Sequence, residues 1–522
     1  MTYDFSEFKS IVGANIMELN DAEGRLSYIG AYGLAGCLNL NSVILPSCTG
    51  ASAGAFMGCR INSSWQFPVL SFLSNDGAAG GGLIPSYGPF AFARLFGGCS
   101  FPALKNIGAY AFYGATVEDF NFLENIVTIG SHAFESASFQ MRSVSEFSFS
   151  SLQAIRDWGL NCYIQGSNNN VSLNFPALSS VGGGCFNIQV SVYGRANVFI
   201  NCDILTSIPN TTPPVFSGSA IAGVSLAAIE TLPQNCFGNC PSLASAYLPS
   251  LISVPSGCFR ITYTTGNLTS IYAPNVEFIG DSAFGNTKLS EATFSKCNNV
   301  GMYAFSNCTL LESVYMPSCS KFSQGAFYNC LSLTSVYAPN VETIETNCFS
   351  SCVLLESAYF SMATVVGSNA FYNCSALSDV HMPNLSDLGE FAFYGCRELG
   401  EISLLSLSSI KQYTFYGCSA LSSVSLPNIT SVGMYAFSGC INLGMVSLPK
   451  CENISNFAFR NCTILSEIHI GTSNCVLGNS KAFQDTGITA NTGKIYVPSD
   501  YVSWYRTAQN WSTFANIIEA EP

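Results

Sequence analysis

Between Leu421 and Leu426 the apolar residues Leu421, Val424 and Leu426 are set against Ser423 and Ser425, the spacing of a short half-buried β-strand. Pro427, which has no backbone N–H to donate, ends that strand. Ile429 and Val432 are the next inward positions on a looser return path. Gly433 permits a turn, Ala436 and Phe437 fill the wide side of a core, and Cys440 closes it. The pattern then starts again at Leu443. Its phenylalanine recurs every 22 residues at Phe305, Phe327, Phe349, Phe371, Phe393, Phe415, Phe437 and Phe459, each followed three residues later by cysteine and six later by leucine. One such turn cannot bury its own apolar edge, so stability requires stacking on its neighbours. Adjacent strands then pair in parallel about 4.8 Å apart, and the chain is a solenoid.

The register runs upstream with interruptions. Phe237, Phe259 and Phe284 carry it back past a small insert around Arg260–Asn267, Phe112 and Phe134 are again 22 apart, and Leu34–Cys37 and Phe56–Cys59 form the first clear pair. Two Gly-, Asn-, Ser- and Pro-rich regions, Arg60–Leu95 and Leu160–Leu232, are expected to be loops or degenerate turns. A helix between Phe5 and Met17 is expected as an end cap. The organisation predicted is a cap segment over 1–25, irregular repeats with inserts over 26–232, regular repeats over 233–485 and a C-terminal cap over 486–522. About 20 turns at about 4.8 Å would make a rod or arc on the order of 100 Å long.

The pattern Leu-x-x-Val-x-Leu-Pro-x-Ile-x-x-Val-Gly-x-x-Ala-Phe-x-x-Cys-x-x-Leu, read from Leu421 to Leu443, resembles the BspA-like (treponemal-type) leucine-rich repeat. The resemblance extends from about Leu26 to Phe483. The ending from Ile495 through Trp504, Trp511 and Phe514 resembles that group's C-terminal cap, a last strand followed by a helix starting near Ser499. The resemblance implies a leucine-rich-repeat solenoid with a parallel β-sheet on the concave face and irregular or short helical segments on the convex face. It also implies a bacterial or protist surface protein, often an adhesin, that binds host or partner macromolecules.

Composition narrows the picture. Only 10% of residues are charged and 48% are hydrophobic, which excludes disorder. A net charge of −13 without a basic cluster opposes nucleic-acid binding. No stretch approaches roughly 18 uninterrupted apolar residues, so membrane insertion is not expected. Met1 is followed by Asp4, Glu7 and Lys9, without the basic start and apolar run of about 7–15 residues that a secretory signal needs. Cell-surface or extracellular placement therefore follows from the resemblance only. Cytoplasmic residence, or a place in a phage particle, stands beside it.

Of the 23 cysteines, twelve sit three residues after the repeat phenylalanine or its equivalent. Four replace the preceding alanine, four replace the branched residue after the proline, and Cys162, Cys202 and Cys475 remain. Other turns place Ala, Val, Leu or Ile in those slots, so cysteine is read as a small buried apolar residue rather than as a disulfide or metal framework.

With three histidines, His132, His381 and His469, no nucleophile–base arrangement can be assembled, and the glycine runs 80–82 and 182–184 lack the Lys-Ser/Thr of a phosphate loop. No enzyme, metal or cofactor is expected. The outward strand positions are more informative. One residue on from the inward Val, Ala or Ile of each rung, at repeat leucine plus four, stand Tyr247, Tyr272, Thr293, Tyr315, Tyr337, Tyr359 and His381 along the predicted concave face, and then Ser403, Ser425, Ser447 and His469. Beside the five tyrosines, at leucine plus two, stand Ser245, Ser270, Ser313, Ser335 and Ser357. Tyrosine offers rigid area with a polar tip and serine offers adaptable hydrogen bonding, the chemistry of low-charge binding surfaces. Stacked tyrosines also stabilise a sheet without any ligand. Asp379 and His381 share one strand and Glu401 is expected one rung on, as a solvated polar patch.

These residues predict non-enzymatic recognition of a protein or glycan on a host or bacterial surface. The candidate site is Tyr247, Tyr272, Tyr315, Tyr337, Tyr359, His381, Ser313, Ser335 and Ser357. The alternatives are a phage or prophage receptor-binding protein and a structural scaffold whose inserts make the contacts.

Overall fold

The computed structural model describes residues 18–21, 23–40, 42–61, 65–73, 87–96, 99–118, 121–141, 144–166, 170–190, 197–262, 266–489 and 492–522. The helix expected between Phe5 and Met17 lies outside them. The chain divides into two compact units, Met1–Leu251 with Ile261–Ala273, and Ile252–Arg260 with Pro274–Pro522.

In the second unit each 22-residue turn lays down two strands. The three-residue strand Ser313–Tyr315 pairs in parallel with Ser335–Tyr337, which pairs with Ser357–Tyr359 and then Asp379–His381, without a slip in register. The two-residue strand Lys321–Phe322 begins a second ladder through Thr343–Ile344, Val365–Val366 and Asp387–Leu388. The irregular return path is thus itself hydrogen-bonded from turn to turn. Gly433 follows the second strand because a Cβ there would fall 2.7 Å from the backbone of Lys411 and Gln412 in the turn before. Close approach between turns, more than turn geometry, demands glycine at that place.

The core is a spine of phenylalanines. From Phe305 to Phe459 each ring lies on the next at 5.2–5.5 Å with planes within 12°, and all eight are fully buried. Offset aromatic pairs of this kind contribute about 0.5–1.5 kcal/mol each beyond the area they bury. All 23 cysteines are buried. The reading of cysteine as merely apolar needs one correction. From Cys330 to Cys462 each repeat thiol points at the carbonyl of the phenylalanine one turn back, for example Cys396 Sγ to Phe371 O at 3.2 Å and Cys440 Sγ to Phe415 O at 3.2 Å. Cysteine is therefore an apolar filler that also donates a weak hydrogen bond, which alanine or valine cannot do. Burial pushes the Cys308 thiol up to about 11 and that of Cys462 to about 12, so both stay protonated at neutral pH.

The first unit builds four parallel sheets. One runs through two-residue strands from Tyr28–Ile29 to Ser180–Val181, and a second from Arg60–Ile61 to Gln189–Val190. The third comprises Glu18–Asn20, Ser42–Ile44, Trp65–Gln66 and Cys99–Ser100, and a further sheet runs from Glu146–Ser148 to Ser270–Tyr272. A 3₁₀ turn, Asn121–Asn125, buries Phe122 and Leu123 between them in sequence. In the two regions expected to be loops or degenerate turns, the described residues contribute rungs. Leu160–Leu232 supplies Cys162–Gly166, Asn170–Asn174, Asn197–Asn201 and Gly223–Ser225, and Arg60–Leu95 supplies Trp65–Gln66 and both its terminal strands. Their rungs are spaced unevenly, Asn170 opposite Asn197 and Ala137 opposite Cys162, so a fixed 22-residue template passes over them.

At the C-terminus the 3₁₀ turn Ser499–Tyr501 leads into the helix Val502–Thr507, as the cap pattern implies, and a final strand Ile518–Ala520 follows. The cap covers the open end of the last turn. The Tyr505 hydroxyl donates to Thr472 O at 2.9 Å and accepts from Cys475 N at 3.0 Å, and Trp511 Nε1 donates to Cys475 O at 2.8 Å. Backbone groups that a next turn would have satisfied are met by side chains instead.

Candidate ligand-binding face

The predicted site residues fall into two groups, one in each unit. In the first, Tyr247 and Tyr272 stand on paired strands and stack at 5.2 Å, with Ser245 and Ser270 beside them. Above them in the same sheet, Asn201, Ser225 and Tyr247 occupy successive rungs of one column. A trough of about 360 Å³ opens there between Phe199 and the tyrosines.

In the second unit Tyr315, Tyr337, Tyr359 and His381 form one continuous file. Ring centroids are 5.4, 5.4 and 4.6 Å apart, with planes within 10°. Ser313, Ser335 and Ser357 run alongside at half-buried positions. The alternation of the strand drives this arrangement: Val314, Val336 and Ala358 turn inward and are buried, so their neighbours must turn outward. The five tyrosines across both units are 39–54% exposed, more than a purely packed aromatic needs.

The file stops at His381. The next rungs carry Ser403, Ser425 and Ser447, and there the strand ladder lapses. Glu401–Ser403 pairs only with Ser423–Ser425, as a two-stranded sheet separate from those on either side. Glu401 therefore follows Asp379 by one repeat, but not on a paired rung. The inward residues Val380, Ile402 and Val424 become half-buried, where Val314 and Val336 were closed off. A trough of about 630 Å³ runs along this stretch, lined by Asp379, Glu401, Ser403, Ser425 and Ser447. Beyond it His469 stacks on Tyr496 at 4.7 Å, and its Nδ1 lies 2.8 Å from Glu521 Oε1. His132, expected on a turn surface, has φ +56° and is stacked between Tyr110 and Trp158 with Glu135 at 2.7 Å.

One aromatic set escaped the sequence reading. In the regular repeats from Phe284 to Phe459 each turn passes through two left-handed residues, two before and two after its spine phenylalanine, such as Phe391 and Gly395 or Tyr435 and Gly439. The later slot takes Gly, Asn or Ser, as steric rules require. The earlier slot takes Phe391, Tyr413, Tyr435 and Phe457, whose rings stack at 4.8–4.9 Å, with Tyr372, Tyr394 and Tyr416 stacked beside them at 4.8 Å. Left-handed backbone costs a bulky residue about 1–2 kcal/mol, comparable to what the stacking returns. The signal was present as two further columns of the repeat, flanking the phenylalanine.

A model of the family described as the BspA type leucine rich repeat region (6 copies) matches residues 7–72, 90–208, 165–289, 230–356 and 364–489. No curated protein matches the chain. Among solved structures it is similar to a leucine-rich repeat protein from Bacteroides ovatus, at 24% identity over 67% of this chain and 91% of that one, with a TM-score of 0.44. It is also similar to a leucine rich cell surface protein from Faecalibacterium prausnitzii, at 20% identity over 72% and 86% of the two chains, TM-score 0.29. The pneumococcal vaccine antigen PcpA matches at 17% identity over 76% and 85%, TM-score 0.32. At these identities the likeness concerns the fold alone.

Proposed function

Because the chain belongs to the BspA-type leucine-rich repeat family, whose members are commonly surface or binding proteins and are generally non-enzymatic, we propose that it is a recognition protein. On this reading it binds a protein or glycan on a host or bacterial surface through its outward Tyr/Ser face. The observation that carries the reading is the file Tyr315–Tyr337–Tyr359–His381, exposed on one side of a sheet whose inward Val314, Val336 and Ala358 are buried. Two-torsion aromatic side chains held by stacking lose little entropy on binding, and the flanking serines adapt their hydrogen bonds to the partner. With so few charges, contact and hydrogen bonding outweigh electrostatic steering. Work at the cell surface or outside the cell belongs to the same proposal. No helix among the described residues is long and apolar enough to cross a membrane.

The test compares the wild-type chain with a Tyr315→Ser, Tyr337→Ser, Tyr359→Ser variant, shown to be folded by circular dichroism. Both are applied to immobilised mucin glycans, extracellular-matrix proteins and bacterial envelopes. Binding by the wild type that drops at least tenfold in the variant supports the face as the site. Equal binding by both makes the tyrosines structural.

A further inference from the structure

In the second unit the outward aromatic file is interrupted and then resumes. The column occupied by Tyr315, Tyr337, Tyr359 and His381 continues as Ser403, Ser425 and Ser447, and then as His469 and Tyr496. Inside a stack of parallel rings both faces of each ring are covered. At its ends one face is free. His381 has one face on Tyr359, and His469 has one face on Tyr496. The opposite face of each imidazole therefore looks along the column over the serines. At about 4.8 Å per rung the two imidazoles stand about 19 Å apart.

Three features make this gap a site rather than a plain stretch of sheet. The ladder lapses within it, so Val380, Ile402 and Val424 are partly uncovered and form an apolar strip along the floor. Serine hydroxyls line that strip, and the exposed carboxylates of Asp379 and Glu401 flank it. Neither imidazole lines the trough itself; one rung past its far end, His469 Nε2 is buried without a hydrogen-bond partner and lies 3.8 Å from Glu467. The trough is open to solvent, and its volume of about 630 Å³ lies within the about 300–1,000 Å³ of small-ligand sites.

We propose that this trough binds a neutral oligosaccharide of hexose units, laid along the serine column between the two imidazoles. The proposal rests on the recognition reading above and narrows it to one ligand class. The flat C–H face of a sugar ring would extend the aromatic stack at either end. Its hydroxyls donate to carboxylates, and they donate to or accept from serine. An extended peptide fits less well. The face of a sheet offers it no main-chain partners, because strand addition uses sheet edges. A basic peptide would use Asp379 and Glu401 and leave the serines and imidazole faces without a role.

The experiment titrates the full chain, by calorimetry, with hexasaccharides of glucose, mannose, galactose and N-acetylglucosamine, and with a Lys/Arg-rich decapeptide. Ser425→Tyr fills the middle of the trough with the residue that four other rungs of this column, Tyr315, Tyr337, Tyr359 and Tyr496, already carry, so the fold tolerates it. Asp379→Asn with Glu401→Gln removes the carboxylate charge and leaves the shape. At least one hexasaccharide is expected to bind, at least tenfold more weakly to Ser425→Tyr and about five- to fifty-fold more weakly to the double variant, while the decapeptide does not bind. The proposal is overturned if no hexasaccharide binds, if Ser425→Tyr binds as the wild type does, or if the decapeptide binds and the double variant loses it. Binding lost in the tyrosine-to-serine variant but kept in Ser425→Tyr overturns the trough and leaves the face reading standing. The reverse pattern upholds the trough and removes the tyrosines.

Discussion

Two stretches of the second unit share one repeat and one core yet differ on their outer face. From Tyr315 to His381 the outward rings stack, the strands pair rung to rung, and the inward Val314, Val336 and Ala358 are buried. From Ser403 to Ser447 the outward side chains are serines, the ladder is interrupted, and Ile402 and Val424 are half-buried. Beneath both, the spine runs on unchanged, with Phe371–Phe393 at 5.2 Å and Phe415–Phe437 at 5.3 Å. The difference teaches that the spine holds the repeat through both stretches, while the strand ladder and the cover over the inward residues vary above it. A solenoid can therefore vary its binding face without altering its core.

The largest effect that should leave the comparison untouched is alkaline. The Cys308 and Cys462 thiols have folded pKa values raised by burial to about 11 and about 12, against 9.0 unperturbed. Their contribution to stability is complete below pH 9 and is lost as the pH climbs from there toward the folded values, because only the unfolded chain ionises easily. Each such thiol steepens the loss by about 1.4 kcal/mol per pH unit. Denaturant midpoints should hold steady up to pH 9 and fall sharply above it. Cys462→Ala should soften the fall.

Next in size, Phe371→Ala and Phe415→Ala should each cost about 3–5 kcal/mol in denaturant unfolding. The two costs should agree within about 1 kcal/mol, since one ring lies under the aromatic rungs and the other under the serine rungs. Unequal costs would break the separation of spine from face. Tyr337→Ser removes two stacks at 5.4 Å and should cost about 1 kcal/mol, with faster hydrogen exchange across Ser335–Tyr337. The smallest effect sharpens the contrast from the other side. Ser403→Tyr should extend the stack from His381, roof Ile402, and add about 0.2–1 kcal/mol.

Much of this was legible in the sequence because the repeat is strict where the core is strict. Eight phenylalanines in register, with Cys three places on and Leu six, specify the spine, and strand alternation put Tyr315, Tyr337 and Tyr359 outward. What escaped had physical reasons. Strands such as Asn170–Asn174 and Asn197–Asn201 alternate Val171, Leu173, Val198 and Ile200 with polar partners, but their turns are longer than 22 residues, so a fixed template skipped them. The thiol-to-carbonyl bonds depend on one turn lying over another, which spacing alone does not reveal. The lapse of the ladder after His381 leaves no mark in the repeat, which runs on in register through it.

The most direct measurement of the central claim is hydroxyl-radical footprinting of the chain, with and without whichever surface it binds in the adhesion panel. The tyrosines supply their own control, since one file stands on the strand face and the other, Tyr372, Tyr394, Tyr413, Tyr416 and Tyr435, on the turns. The account predicts protection of Tyr315, Tyr337 and Tyr359 with the turn tyrosines unchanged. Protection of the turn tyrosines with the face tyrosines still reactive would contradict it.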